Sequence, residues 1–375
     1  MPFSKPALIL THEFYPFRGG VARYVQELAL EAHNKGIPLE VCCQQPPSRA
    51  GAWPYIITSI PGKGTLRWSD TYRFIRFLRL HANALPDRII CLTSWGALRA
   101  WALSGLKPAN SSIRILFHGS EILKINRRSW FWGPIMLSLF QQKQVSIFAT
   151  TPFVRDLLLR SPYFPKDRSV EIAPCGLSHP FRNLPLKNAT PTTKPPTEII
   201  ILSVARLDPR KGQLEAIKAM ALLPSAIKYR ITYRMIGRGS RSYRKKIFSL
   251  ARRNKIRCVH IPDASDSTLI QEYQKAYLLI QPSLSLPHSI EGFGLSIIEA
   301  AACRCPAIAY ASGGLVHAIE DGATGWLVPE NNPTALSNAI LEAIENPEER
   351  NRRAHLAHNR AIMLTYDTAV QRLLC

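Results

Sequence analysis

Two α/β domains of the doubly wound, parallel-sheet kind are what this 375-residue chain predicts, on three observations. Its length exceeds what a single hydrophobic core usually holds. Short apolar runs alternate with segments of helical periodicity, and the alternation starts afresh after a stretch rich in Pro, Thr, Asn and Lys at 186–197. Glycines stand where strand should turn into helix.

The elements follow in order. Residues 7–11 form a short apolar run suited to a first parallel strand. The Gly19-Gly20 turn leads into Val21, Tyr24, Val25, Leu28, Ala29 and Ala32, which share one helical face over 21–33. A strand at 37–43 comes next, and further strands are expected at 88–93, 113–118, 146–150 and 170–174. The segment 186–197 is the most linker-like in the chain, so the first domain is expected to span 1–185 and the second 198–359. In the second, strands are expected at 198–204, 230–236, 257–261 and 306–310, with helices at 213–223, 243–254 and 295–302. Residues 360–375 are expected to form a helix that packs back on the first domain. No internal repeat has a solenoid period.

Composition narrows the class. An apolar fraction of 46% with 20% charged residues belongs to a globular chain. The longest apolar stretch, 130–140, is about half a membrane span and is expected to be interrupted at Gly133-Pro134. Residues 1–10 lack the apolar core and cleavage pattern of a signal peptide. The eight cysteines include no C-x-x-C pair and no metal-like Cys/His spacing, so they read as reduced, mostly buried thiols and no metal site is expected. A cytoplasmic location follows, with a peripheral seat on the cytoplasmic face of a membrane left open. Net charge is +22, most of it before residue 197, which points to an anionic partner: phosphorylated substrates, an anionic membrane surface, or nucleic acid. Nucleic acid ranks last, because no zinc knuckle, RNP signature or helix-turn-helix pattern occurs.

Chemistry concentrates in Ser289-Ile290-Glu291-Gly292-Phe293-Gly294-Leu295-Ser296-Ile297-Ile298-Glu299-Ala300. Gly292 and Gly294 form a turn that opens into a helix with the Ala, Leu and Ile content of a buried one. Backbone amides at such a helix start suit an anion, with Glu291 in the loop and Glu299 about one turn further in. Carboxylates only accept hydrogen bonds, so the pair suits a ligand rich in hydroxyls, a hexose at one end and a ribose at the other. An ordinary acidic helix start fits the same residues.

After the first strand of the second domain, Ser203-Val204-Ala205-Arg206-Leu207-Asp208-Pro209-Arg210-Lys211-Gly212 places two or three cations at the strand's carboxyl end. Arg206 can grip two phosphate oxygens and Lys211 adds a compact charge, a set suited to a departing nucleoside diphosphate. A solvated basic loop is the alternative.

These blocks, with Thr11-His12-Glu13-Phe14-Tyr15-Pro16, Gly19-Gly20-Val21, Gly237-Arg238-Gly239, Pro282-Ser283 and the run Asp321-Gly322-Ala323-Thr324-Gly325-Trp326-Leu327-Val328, closely resemble the family 4 retaining glycosyltransferases, also called glycosyl transferases group 1. The resemblance covers nearly the whole chain. It implies the GT-B fold, two Rossmann-like doubly wound domains facing a central cleft. It implies donor contacts at Gly19, Gly20, Arg206, Lys211, Glu291, Gly292, Phe293, Gly294, Leu295 and Glu299, with Arg206 and Lys211 on the diphosphate and Glu299 on the ribose. His118, in Leu116-Phe117-His118-Gly119-Ser120-Glu121, matches the family's active-site histidine, and Glu291, His118, Arg206 and Lys211 are the catalytic candidates. Three positions depart from the family pattern: Ser178 stands for an Asp, Arg304 for a Gly and His317 for a Glu.

The expected activity is a retaining, metal-independent transfer of a hexosyl group from a nucleoside-diphosphate sugar to a hydroxyl of a glycan, lipid-linked or small-molecule acceptor. No cofactor is expected, since the sugar nucleotide is a substrate, and the absence of a D-x-D sequence fits fixed cations in place of Mg²⁺. A non-catalytic sugar-nucleotide or anionic-polymer binding protein and a sugar-nucleotide epimerase are the rival readings. Two segments of the first domain, 67–80 with its interleaved arginines and aromatics and 130–140, are candidate membrane contacts, and both can equally pack as core.

Overall fold

A computed structural model describes residues 5–15, 17, 19–44, 53–64, 66–184 and 196–375. The chain divides into two compact units, residues 1–176 with 365–375 and residues 177–364. The expected linker lies, as far as residue 195, outside the described residues.

The N-terminal unit is a seven-stranded parallel sheet in the order β3-β2-β1-β4-β5-β6-β7. Its strands are β1 (Ala7–Thr11), β2 (Leu39–Gln44), β3 (Ile56–Ile60), β4 (Ile89–Leu92), β5 (Ser112–Phe117), β6 (Val145–Ala149) and β7 (Glu171–Ile172). Strand β3 was not expected. It is a sheet edge with Ile56 exposed, so it lacks the apolar run that marks the central strands. The helices are α1 (Gly20–Asn34), α2 (Trp68–Leu80), α3 (Trp95–Ser104), α4 (Ser120–Arg127), α5 (Ser129–Phe140) and α6 (Pro152–Leu159). Gly133-Pro134 does not interrupt the apolar segment: α5 runs through it with Pro134 inside. Gly133 lies against the ring of Tyr163, where a Cβ would come within 2.3 Å, so the glycine serves close packing.

The C-terminal unit is a six-stranded parallel sheet in the order β10-β9-β8-β11-β12-β13. Its strands are β8 (Ile199–Val204), β9 (Ile231–Ile236), β10 (Arg257–Ile261), β11 (Leu278–Gln281), β12 (Ala307–Tyr310) and β13 (Gly325–Val328). Strands β11 and β13 were also unexpected. Strand β11 is wholly buried, and β13 is a sheet edge. The helices are α7 (Gln213–Ala221), α8 (Ser225–Lys228), α9 (Arg241–Arg253), α10 (Asp266–Lys275), α11 (Leu295–Ala302), α12 (Pro333–Glu345) and α13 (Pro347–Ile362). A last helix, α14 (Asp367–Leu374), belongs to the N-terminal unit, where it packs on α1 and buries Ala369, Val370, Leu373 and Leu374.

Both sheets reverse strand order beside their first strand, between β1 and β4 and between β8 and β11. Crossovers on the two sides of such a point go to opposite faces of the sheet, which opens a crevice at the carboxyl ends of the strands. The residues that follow β8 and β11 are those of the basic loop and Pro282-Ser283.

Candidate functional site

In the C-terminal unit the basic loop is shaped by local chemistry. Asp208 caps the 3-10 turn Pro209–Lys211 by accepting from the Arg210 amide at 3.0 Å. Gly212 then takes φ +70, and a Cβ there would lie 1.8 Å from the Pro282 carbonyl oxygen, so only glycine lets β8's loop sit on β11's. The Leu284 amide donates to the Arg210 carbonyl at 2.7 Å and joins the same two loops.

That turn points two cations at one carboxylate. Arg210 Nη1 lies 2.5 Å and Lys211 Nζ 2.6 Å from the same Oε2 of Glu291. Burial opposes ionisation of Glu291, but Lys211 and Arg210 outweigh it and hold the carboxyl down at about 2. Burial, with Arg210 and Arg206 beside it, pulls Lys211 below its usual range against the attraction of Glu291. Arg206 is exposed, its carbonyl accepting from Gln213 Nε2 at 2.9 Å. The sequence therefore located the cation cluster, while the structure gives Glu291's grip to Arg210 and Lys211 and leaves the Arg206 guanidinium outside it. Arg210 escapes sequence reasoning because its neighbour Lys211 carries the family motif; its one available signal is adjacency to that lysine.

The loop from Ile290 to Gly294 is pressed against the 3-10 turn Gly313–His317. A Cβ on Gly314 would come within 1.8 Å of the Gly292 oxygen, and the Gly314 amide donates to the Glu291 carbonyl at 2.8 Å. Gly294, at φ +103, precedes α11, whose start has no side-chain cap. Glycine has no side chain to cap the first amides of that helix, Leu295 among them. Ser296 ties α11 to β11 through Gln281 Oε1 at 2.7 Å, while Phe293 packs partly on the core. Glu299 is buried one turn in, accepting from Tyr273 Oη at 3.2 Å and Ser178 Oγ at 3.4 Å. Ser178, at a position where an Asp was expected, is thus a donor to the carboxylate; a second carboxylate there would repel it. Ser283 Oγ and Gln213 Oε1 are buried without a hydrogen-bond partner among the described residues. Ser283 belongs to the Pro282-Ser283 block of the resemblance, whereas nothing in the sequence marks Gln213. Arg304 takes φ +58 after α11, which explains why a glycine suits that position.

In the N-terminal unit Gly19 caps α1 in extended backbone with no side-chain cap, and a Cβ there would lie 3.7 Å from Glu13 Oε2. His118 follows β5. Its Nε2 lies 3.0 Å from the Thr93 carbonyl, which can only accept, so Nε2 carries the proton and Nδ1 keeps its lone pair. Burial lowers its pKa against the pull of Glu121, whose Oε2 accepts from the His118 amide at 3.2 Å. A second histidine, His12 of the Thr11 to Pro16 block, has no role expected from the sequence. Its Nδ1 meets Ser94 Oγ at 2.7 Å, so His12 and Ser94 join the carboxyl ends of β1 and β4. Among the described residues no group of His, Cys, Asp and Glu could hold a metal ion, and no helix is long and apolar enough to cross a membrane.

The two parallel sheets are those of the GT-B glycosyltransferase fold. Over 98% of this chain and 97% of the other, the structure is similar to sucrose-phosphate synthase from Thermosynechococcus elongatus, with a TM-score of 0.80 and 21% identity. It is also similar to HepE from Anabaena, solved with UDP and glucose, with a TM-score of 0.75, 17% identity and 98% of each chain covered. Residues 18–179 match the family model described as Glycosyltransferase Family 4, and residues 187–360 the one described as Glycosyl transferases group 1. The chain belongs to the group 1, family 4 glycosyltransferases. Among curated relatives, the D-inositol 3-phosphate glycosyltransferase of Streptomyces coelicolor is 31% identical over 47% of this chain. That match spans 39% of the relative's own length.

Proposed function

We propose that this chain is a retaining glycosyltransferase that moves a hexosyl group from a nucleoside-diphosphate sugar to a hydroxyl of a glycan, lipid-linked or small-molecule acceptor. The observation that carries the reading is the Glu291 carboxylate held by Arg210 and Lys211 directly before the uncapped start of α11, with Glu299 buried inside that helix. UDP and glucose in HepE favour a nucleotide sugar as donor.

In this reading the diphosphate lies across the α11 amides, where Lys211 and the exposed Arg206 meet the charge that grows as the sugar leaves. Glu299 accepts from the ribose hydroxyls. Glu291 accepts from hydroxyls of the transferred sugar, alongside Gly292 and Phe293. In the N-terminal unit, His118 presents its Nδ1 lone pair to a sugar hydroxyl and the Gly19-Gly20 amides serve phosphate oxygens. The acceptor oxygen bonds to the anomeric carbon as the bond from that carbon to the phosphate oxygen breaks. The acceptor's proton passes to the departing phosphate on the same face, so no side-chain base is needed and configuration is kept. Fixed cations take the place of a divalent metal in stabilising the leaving group.

The test is Lys211→Ala, assayed with a panel of UDP- and GDP-sugars for release of nucleoside diphosphate. Turnover should fall by roughly 10²- to 10³-fold, the loss seen when one preorganised charge stabiliser is removed, with the melting profile retained. Unchanged turnover removes Lys211 from the diphosphate. Binding of sugar nucleotide by the wild-type chain with no release of diphosphate points instead to a binding protein.

A further inference from the structure

Two helices of the N-terminal unit leave apolar rings in water beside arginines, apart from the donor and catalytic residues. Helix α2 buries Asp70, Thr71, Phe74 and Leu78, while the stripe Trp68, Tyr72, Arg76 and Leu80, spaced at i, i+4, faces outward. Trp68 is 53% and Tyr72 66% exposed. Helix α5 buries Trp132 and Met136 but leaves Trp130 82% exposed directly after the exposed Arg127 and Arg128.

Ring contacts join the two stripes. Trp68 stacks on Trp132 with ring centroids 6.3 Å apart and planes inclined by 10°. Trp132 meets Phe131 edge-on at 4.9 Å, and Phe131 meets Trp130 at 5.7 Å, so an aromatic ladder joins the start of α2 to the start of α5. Arg99 lies over the Trp68 ring at 5.0 Å and fixes it. The two acids on these segments, Asp70 and Glu121, are both buried, so the outward charge is positive.

We infer that this face seats the protein on an anionic lipid bilayer, with Trp130 and Trp68 at headgroup depth and Arg76, Arg127 and Arg128 on lipid phosphates. Indole has an apolar body and a polar edge, which suits the boundary between acyl chains and water. Arginine beside it supplies the attraction to acidic lipid. Neither component alone distinguishes a bilayer from a protein partner. Exposed aromatic rings bordered by outward arginines match a surface that is apolar below and negative above. Helix α9 of the C-terminal unit is also strongly basic, but it exposes no large apolar ring, so it offers charge without an anchor.

The full chain is mixed with vesicles of phosphatidylcholine alone or with phosphatidylglycerol and sedimented at about 0.15 M salt, where long-range attraction is screened. It should pellet with the anionic vesicles and stay in solution with the neutral ones. Brominated acyl chains should quench its tryptophan emission. Trp130→Ser, and separately Arg127→Glu with Arg128→Glu, should each weaken vesicle binding by about tenfold or more while leaving the melting temperature and sugar-nucleotide binding as in the wild type. Equal binding to both vesicle types, or variants that bind as well as wild type, overturns the assignment. Loss of binding in Lys245→Glu with Lys246→Glu while Trp130→Ser binds normally moves the contact to α9 and overturns it too. A concentration-dependent dimer that Trp130→Ser abolishes makes the face a contact between copies and likewise overturns the bilayer assignment.

Discussion

The two units are built on one plan and finished differently. Each sheet places its first strand beside its fourth, counted within the unit, and each leaves its loops at the carboxyl ends of those two strands. In the N-terminal unit two histidines close that place, His12 on Ser94 and His118 on the Thr93 carbonyl, with the Glu13 carboxylate 3.4 Å from His12 and Glu121 on the His118 amide. In the C-terminal unit it is filled by ions, two cations on one carboxylate. The scaffold thus fixes where a ligand can be met, and the loop residues fix with what charge.

After the loss expected for Lys211→Ala, the next largest effect comes from removing the second cation on Glu291. Arg210→Ala leaves Lys211 as the single cation on Glu291 and frees its carboxylate to turn. If Arg210 positions Glu291 toward sugar hydroxyls, turnover should drop by roughly tenfold to a hundredfold, since misplacement of about 1 Å costs that much. Steady-state kinetics on the variant and on Arg210→Lys, which keeps the charge and should recover part of the loss, check this. An identical loss in both says that shape, not charge, distinguishes the units.

Acid should separate them next. Burial, with Lys124 and Arg99 adding, pulls His12 down to about 3 from the ordinary 6.5. Between those values the unfolded chain binds the proton and the folded one does not, so stability rises with pH across the window and is lost as pH falls below 6.5. His118 is shifted the same way. Glu291 behaves differently: its contribution is present above 4.5 and lost only as pH falls through about 2. Acidification from about pH 6.5 to about 5 should therefore destabilise the N-terminal unit by up to ~1.4 kcal/mol per pH unit through His12, with His118 acting in the same direction. Hydrogen exchange as a function of pH should find β1 and β4 opening before β8 and β11, and His12→Asn should flatten the trend. The opposite order contradicts a site closed by histidines in one unit and by two cations on a carboxylate in the other.

The smallest effect concerns how helices stop. In the N-terminal unit α3 ends on Gly105 at φ 72; in the C-terminal unit α11 is followed by Arg304 at φ 58, a conformation that a side chain opposes. Arg304→Gly should stabilise the protein by about 0.5–1 kcal/mol, the relief of backbone strain less the added freedom of the unfolded glycine. A denaturant midpoint that falls instead assigns a favourable contact to the Arg304 side chain.

Much of the fold is legible in the sequence. The central strands can be read because burial on both faces writes them as unbroken apolar runs, as in residues 7–10 and 199–202. Gly212, Gly294 and Gly314 mark tight turns and close approaches, and the structure gives each a physical reason. What stays hidden depends on long-range pairing. Edge strand β3 has no unbroken apolar run, since Thr58 and Ser59 interrupt it. Arg210 cannot be told from any loop arginine until Glu291, far along the chain, is placed against it. Ser178 looks like a lost acid and is a hydroxyl donor to Glu299.

Helix α14 carries a consequence for how the molecule is made. It comes at the far end of the chain yet fills the flank of α1, near the beginning, with Lys35 reaching Asp367 and Arg372 the Ile172 carbonyl. A ribosome therefore delivers the middle unit whole while the earlier one is still missing a wall. Removing residues 367–374 should injure the half translated first, and the nascent chain must keep that half incomplete, its apolar flank uncovered, until those residues are made.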